Sequence, residues 1–314
     1  MDQPIFFERV SMDRALDLSQ LAGDDGRFFS NYYGKIPFLR RGAVEKPKEV
    51  LSVQRLDAIL REQVVQASYI TVVKNSRPLH SGAYSASVRI DGQHFADRVV
   101  PEKMARYIDG GATAIWRQVH LFCDSMRKSR EIMAEKLGAR SDTYAFVTPP
   151  GVHGLSTHDD PDDVFAVQLE GCKRWKIWRP QGNPRLPGKI YDLAEVENLG
   201  EPVMDVTLEP GDFLYIPRHA PHATLAGAAT SLHVTVAVRH DMWSQIISSI
   251  AERVMGEDPR FSELPLFSVG AQNWSAGLRA RLHELAASLE AVDVGKEIQR
   301  IIDDGKQAAP ISGW

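Results

Sequence analysis

The sequence predicts a mainly β fold with helices: a sandwich or barrel of short antiparallel strands between a mixed α/β N-terminal portion and a helical C-terminal one. Three observations carry this. From Tyr144 to Val238, short β-rich runs are separated by Pro, Gly and Asp, a spacing that suits antiparallel sheets rather than βαβ units. Before about residue 110, helical and strand-like runs alternate. After Asp241 the apolar residues return to helical spacing. The chain accordingly divides into 1–110, 111–240 and 241–314.

Taken in order, Ser11 to Leu21 and Ser52 to Gln63 have helical spacing, each with a serine cap at its start. Val53, Leu56, Leu60 and Val64 make the stripe of the second. Tyr69 to Lys74 is β-branched and reads as a strand. Pro101 to Ile108 is a short helix ended by Gly110-Gly111, and Ala114 to Val119 a strand. Asp124 to Leu137 is a helix stopped by Gly138. The central strands are Tyr144 to Thr148, Val164 to Leu169, Lys173 to Trp178, Phe213 to Ile216 and Leu232 to Val238. Glu209-Pro210-Gly211-Asp212 is a turn in which Pro fixes one φ and Gly permits a positive one. Met242, Trp243, Ile246, Ile247, Ile250 and Val254 form one helical stripe. Leu278, Leu282, Leu285, Leu289 and Val292 form a second, whose alternating steps suit a helix–helix seam within the chain or between two copies.

The 314 residues are 43% hydrophobic and 25% charged, the balance of an ordinary globular chain. A formal net charge of −4 gives no global field towards nucleic acid or membrane. Two cysteines, Cys123 and Cys172, make no disulfide framework. No apolar run is long enough to span a bilayer, and Met1-Asp2-Gln3-Pro4 lacks the regions of a signal peptide. The expectation is a cytoplasmic protein.

The chemistry gathers in His158-Asp159-Asp160 and, 62 residues after Asp160, His222 in Ile216-Pro217-Arg218-His219-Ala220-Pro221-His222. Two imidazoles and one carboxylate are the set that holds a non-haem Fe(II) on one face and leaves the other open. Residues two apart on an extended segment point the same way, so His158 and Asp160 can reach one ion. Past the turn at Gly171-Cys172, Lys173, Trp175 and Ile177 share one strand face, and Arg174, Lys176 and Trp178 the other. The less charged face points inward, which buries a lone lysine that needs an anion, such as a co-substrate carboxylate. In the last strand Leu232, Val234, Val236 and Val238 pack, leaving Ser231, His233, Thr235 and Ala237 to line a pocket. His153, on a Gly-rich loop, is a candidate for substrate contact, and His219 reads as an ordinary loop histidine. Asp159, Asp162 and Asp163 make either an acidic rim suited to a basic substrate or solvated loop charge.

These residues fall within longer motifs. Thr148-Pro149-Pro150-Gly151, His158-x-Asp160, Asp163-Val164-Phe165-x-x-Gln168-Leu169-Glu170-Gly171-x-Lys173-x-Trp175 and Glu209-Pro210-Gly211-Asp212-x-Leu214-Tyr215-x-Pro217-Arg218-x-x-x-His222 resemble the JmjC-domain Fe(II)/2-oxoglutarate oxygenases. The branch they are most similar to is the ribosomal-protein hydroxylases, or ribosomal oxygenases. Phe28-Phe29-x-x-Tyr32-Tyr33-x-Lys35-x-Pro37 and Gly110-Gly111-Ala112-Thr113 extend the resemblance over roughly residues 28 to 240. It implies a double-stranded β-helix (jelly-roll, cupin) core. It also implies Fe(II) on His158, Asp160 and His222, O2 as oxidant, and 2-oxoglutarate with its distal carboxylate on Lys173. Thr148 and His233 are further co-substrate candidates. Tyr144 stands where relatives commonly carry an Asn, and its phenol can still donate a hydrogen bond there. No catalytic residue is needed beyond the metal centre. The implied reaction is hydroxylation of a protein or peptide side chain, with succinate and CO2 as co-products. A small-molecule substrate is the alternative, favoured by the Tyr144 departure and by the shortness of the chain after Asp241, too short for a winged helix. A third reading is a non-catalytic cupin metal-binding or sensor protein, which gives no reason for an inward lysine. The C-terminal helices imply a homodimer.

Overall fold

The computed structural model describes residues 14–181, 187–264 and 271–307. The N-terminal portion supplies α1 (Leu18–Ala22), α2 (Asp25–Asn31), β1 (Phe38–Arg40), α3 (Val53–Glu62), β2 (Ile70–Lys74) and β3 (Arg77–Pro78). It continues with β4 (Ser85–Ile90), β5 (Gln93–Val99), α4 (Pro101–Asp109), β6 (Thr113–Arg117) and α5 (Asp124–Leu137). The centre holds β7 (Arg140–Thr148), β8 (Asp163–Glu170), β9 (Lys173–Ile177), α6 (Leu193–Asn198), β10 (Met204–Leu208), β11 (Phe213–Ile216), β12 (His222–Ala226) and β13 (Ser231–Arg239). Three helices follow: α7 (Trp243–Glu257), α8 (Ala271–Glu290) and α9 (Val294–Gln307).

The strands form an antiparallel sheet of eight in the order β1-β11-β8-β13-β7-β6-β2-β3, a sheet of three, β10-β9-β12, and the hairpin β4-β5. Strand parity decides where the core sits. One face of the large sheet, with Phe165, Val167 and Leu169 of β8 and Leu232, Val234, Val236 and Val238 of β13, packs on the helices in the main core. Its other face turns Val164, Ala166, Leu214 and Ile216 towards Trp175 and Ile177 of β9, so the two sheets close on one another as a sandwich. Along β9 burial alternates as parity predicts: Lys173, Trp175 and Ile177 are buried, Arg174 and Lys176 exposed.

Gly211 lies at φ +95°, and a Cβ there would come 2.5 Å from the carbonyl oxygen of Val44, so the turn before β11 needs a residue without one. α5 ends at Gly138 in the left-handed region, which closes the last turn on Ala134.

Several expectations are corrected. Ser11, the expected first cap, lies outside the described residues; Arg14 to Asp17 are not helical, and Asp17 caps α1 by accepting from the backbone N–H of Ser19. The strand expected over Ala114 to Val119 stops at Arg117, because Gln118 takes a left-handed conformation and a 3-10 turn begins at Val119. Trp178, expected outward, is buried: its Nε1 donates to the carbonyl of Gly200 at 2.8 Å, under the segment that precedes β10. In α7 and α8 the apolar stripes are only partly covered: Trp243, Ile247, Leu278 and Leu282 remain exposed.

Candidate metal and co-substrate site

The two histidines meet because their strands do. The segment leading to His158 runs antiparallel to β12, with bridges His153 to Leu225 and His158 to His222. His158 and His222 exchange backbone hydrogen bonds, 3.1 Å from the N–H of His158 and 2.8 Å from that of His222. Cross-strand neighbours have side chains on one face, and the two rings lie 4.3 Å apart between centroids. Asp160 completes the group: its carboxylate oxygens lie 4.0 Å from Nε2 of His158 and 3.7 Å from Nε2 of His222. One ligand atom from each of the three lies within 4.8 Å of the others.

The donor chemistry fits a divalent ion. Nδ1 of His158 faces the carbonyl of Ser156 at 2.8 Å, and Nδ1 of His222 that of Ala220 at 3.1 Å. A carbonyl only accepts, so each Nδ1 carries the proton and each Nε2 presents a lone pair inward. Burial pushes both imidazoles down to about 4, which keeps them neutral, and pushes Asp160 up to about 7. A cation at the centre reverses the cost for the carboxylate, since only the ionised form coordinates.

Lys173 is 1% exposed at the floor of the same cavity, which His158, Asp160, His222, Lys173, His233 and Tyr144 help to line. Its Nζ donates to Oγ1 of Thr148 at 2.9 Å and lies 3.4 Å from Nδ1 of His233, with no carboxylate partner among the described residues. Burial pushes this lysine down to about 7. His233 stacks on Phe146 at 4.5 Å with planes 2° apart, and burial first, then the lysine, drives it to the neutral form. Tyr144 is buried among Val73, Ile115 and Ala237, and burial raises its pKa, so the phenol keeps its proton. His158, Asp160, His222, Lys173, Tyr144 and His233 thus line one cavity, while Thr148 is not in its lining and meets it only through Lys173.

Asp162 lines the cavity and Asp159 the groove beside it, but neither is a free acid or a solvated charge. Asp159 accepts from the hydroxyl of Tyr191 at 2.7 Å and from Nδ1 of His219 at 3.1 Å. Asp162 takes the guanidinium of Arg239 in a two-point contact, and Asp163 accepts from Tyr215 at 2.5 Å. All three are buried, and each is paired, as a buried carboxylate must be. His153 stays exposed on its loop, with Nδ1 3.2 Å from the carbonyl of Thr224.

Sequence reasoning missed a brace behind the ligands. His219, at φ +58°, donates its backbone N–H to the carbonyl of Asp160 at 2.7 Å while its ring meets Asp159. On the far side the chain at 189–191 pairs with 157–159, through Asp159 N–H to Lys189 and Tyr191 N–H to Thr157, both 2.9 Å. The close approach depends on Gly188, where a Cβ would lie 2.5 Å from the carbonyl oxygen of Asp159. No motif in 187–192 signals this, because the pairing partner is a loop. Arg117 was also passed over, although it follows Thr113 and Ile115 on one strand face, the same parity signal that marked Lys173.

Residues 117–246 match the family described as the JmjC domain. Over that stretch the chain is similar to the JmjC domain. Ribosomal oxygenase 1 of Danio rerio is 29% identical over 255 residues, 77% of this chain and 44% of the relative. The bifunctional lysine-specific demethylase and histidyl-hydroxylase NO66 of Dictyostelium discoideum is 26% identical over 232 residues, 73% of this chain and 43% of that protein. The chain therefore spans under half the length of these two curated relatives. Among solved structures, Escherichia coli ycfD superposes with a TM-score of 0.60 at 18% identity, over 93% of this chain and 73% of that one. YcfD, a ribosomal oxygenase from Escherichia coli solved in complex with cobalt and 2-oxoglutarate, gives 0.58 at 18% identity, over 92% and 72%. At such identity the likeness shows the fold: the sandwich is of the cupin type.

Proposed function

We propose that this chain is an Fe(II)- and 2-oxoglutarate-dependent oxygenase that hydroxylates a side chain of a protein or peptide, with succinate and CO2 as co-products. The observation that carries the reading is the pairing of an open His158-Asp160-His222 face with Lys173, a buried cation that lacks an anion. Curated relatives named ribosomal oxygenase and histidyl-hydroxylase, and a neighbour solved with cobalt and 2-oxoglutarate, support it.

Bound together, Fe(II) and 2-oxoglutarate would activate O2, the oxidant, coupling oxidative decarboxylation of the co-substrate, which takes one oxygen atom, to transfer of the other into a C–H bond. The protein supplies position. His158 and His222 present Nε2 from rings locked by their Nδ1–H bonds, and Asp160 adds the third ligand, a carboxylate oxygen. Lys173 pairs with the distal carboxylate, helped by the hydroxyl of Thr148, while His233 stays neutral against Phe146 and packs the end of the cavity. Tyr144, in the lining of the same cavity, contacts the co-substrate. No side chain need act as nucleophile or general base.

The test is anaerobic titration of the apo-protein with Fe(II) and 2-oxoglutarate, read as the visible metal-to-ligand charge-transfer band. A band in the parent protein that is absent in His222→Ala supports the reading. Metal binding without a band on adding 2-oxoglutarate overturns it.

We also propose the division 1–110, 111–240 and 241–314 as functional units, the last a dimerisation region in which Trp243, Ile247, Leu278 and Leu282 meet a second copy; their exposure supports this. Among the described residues no helix is long and apolar enough to cross a membrane, and both cysteines are unpaired, which fits a reducing, cytoplasmic setting.

A further inference from the structure

We infer that Arg117 binds a carboxylate of the substrate, so that the site takes an acidic segment rather than a basic one. This deepens the oxygenase reading and rests on it. In β6, Ala114 and Trp116 enter the core, while Ile115 and Arg117 share the face turned to the cavity, with Ile115 against Tyr144 and Arg117 directly across from Tyr144 in register. Arg117 lines a groove that opens beside the metal ligands His158 and Asp160, between apolar walls that include Val73 and Leu155. Its guanidinium makes no hydrogen bond and no ion pair among the described residues, and it is only half-exposed.

Every other charge on that groove is committed. Asp160 faces the metal position, Asp159 holds Tyr191 and His219, and Lys189 pairs with Glu195 at 2.5 Å. A half-buried guanidinium against apolar walls is poorly solvated, and its planar fork matches a carboxylate through two parallel hydrogen bonds. A cationic substrate side chain would meet Arg117 without a free carboxylate to receive it. The unmet charge of the groove is positive, and its complement is an acid.

The test uses the full chain loaded with Co(II) and saturating 2-oxoglutarate, titrated with N-acetyl-L-aspartate amide and with N-acetyl-L-asparagine amide. Binding is read from probe NMR shifts, and proximity to the metal from cobalt-induced line broadening. The acid is expected to bind about tenfold to hundredfold more tightly than the amide, the range for a hydrogen-bonded charged pair, and its protons to broaden. Arg117→Gln abolishes the preference, and Arg117→Lys, which keeps charge without the fork, restores part of it. A free acid, 3-phenylpropanoate, run alongside separates a peptide-borne carboxylate from a small-molecule one. Equal affinity for acid and amide, a preference that survives in Arg117→Gln, or displacement of 2-oxoglutarate by the acid overturns the assignment. Failure of the parent protein to bind 2-oxoglutarate overturns the oxygenase reading instead; the acid preference is still read from probe shifts on the protein without cobalt.

Discussion

At the scale of single residues, the site is governed by charges that the fold leaves without partners. Burial strips water from the ammonium of Lys173 and pushes it from its ordinary 10.5 down to about 7. A depressed folded-state pKa costs stability in full below pH 7, and the cost fades as pH rises towards 10.5, where both states are neutral. The gap corresponds to roughly 3–5 kcal/mol. Lys173→Met is therefore expected to melt above the parent when both are ligand-free at pH 7, with the difference vanishing near pH 10; a difference that persists at high pH would point to packing instead. The same variant should lose 2-oxoglutarate affinity by about a hundredfold, measured calorimetrically. For the parent at pH 8 to 9, binding of the dianion should draw a proton onto Lys173, seen as a buffer-dependent heat. Strand parity in β9 makes this lysine legible from the sequence. Arg117 carries the same signal and was missed because β6 lacks a motif around it.

At the scale of elements, strands with clear alternation are legible, and those defined by partners are not. β8, β11 and β13 follow from apolar periodicity, and the turn at Gly211 from its residues. The hairpin β4-β5 had a readable signal, Asp91-Gly92, which takes positive φ at both positions and pairs Ile90 with Gln93. β12 did not, since Pro221 and a mixed burial pattern disguise it. The brace of 187–192 on Asp159 was invisible for the same reason. Its importance is testable. Gly188→Ala forces the Asp159 carbonyl away and should weaken Co(II) binding about tenfold, measured by competition with a chelator; Tyr191→Phe, which leaves one oxygen of a buried carboxylate unsatisfied, should cost about 1–3 kcal/mol of stability in urea melts. Unchanged metal affinity in Gly188→Ala would show that 187–192 covers the loop without positioning it.

At the scale of the whole molecule, the N-terminal portion is stitched into the large sheet through β1, β2, β3 and β6, and α9 packs on α5 and β7 while its Glu297 bonds Arg253 of α7. The exposed apolar residues of α7 and α8 then need a partner. The protein is expected to be a dimer by light scattering, and the double change Trp243→Glu with Ile247→Glu to give a monomer that keeps the anaerobic charge-transfer band. A monomeric parent would discard the dimer. The paired backbone of His158 and His222 has a consequence for how the protein is made. Because backbone hydrogen bonds join the two ligand residues directly, a slip of one residue between those strands would turn one imidazole away from the other. Metal uptake then doubles as a proofreading step: only chains that have closed in the right register can be loaded, and their His158 and His222 amides should resist deuterium exchange even in the apo form.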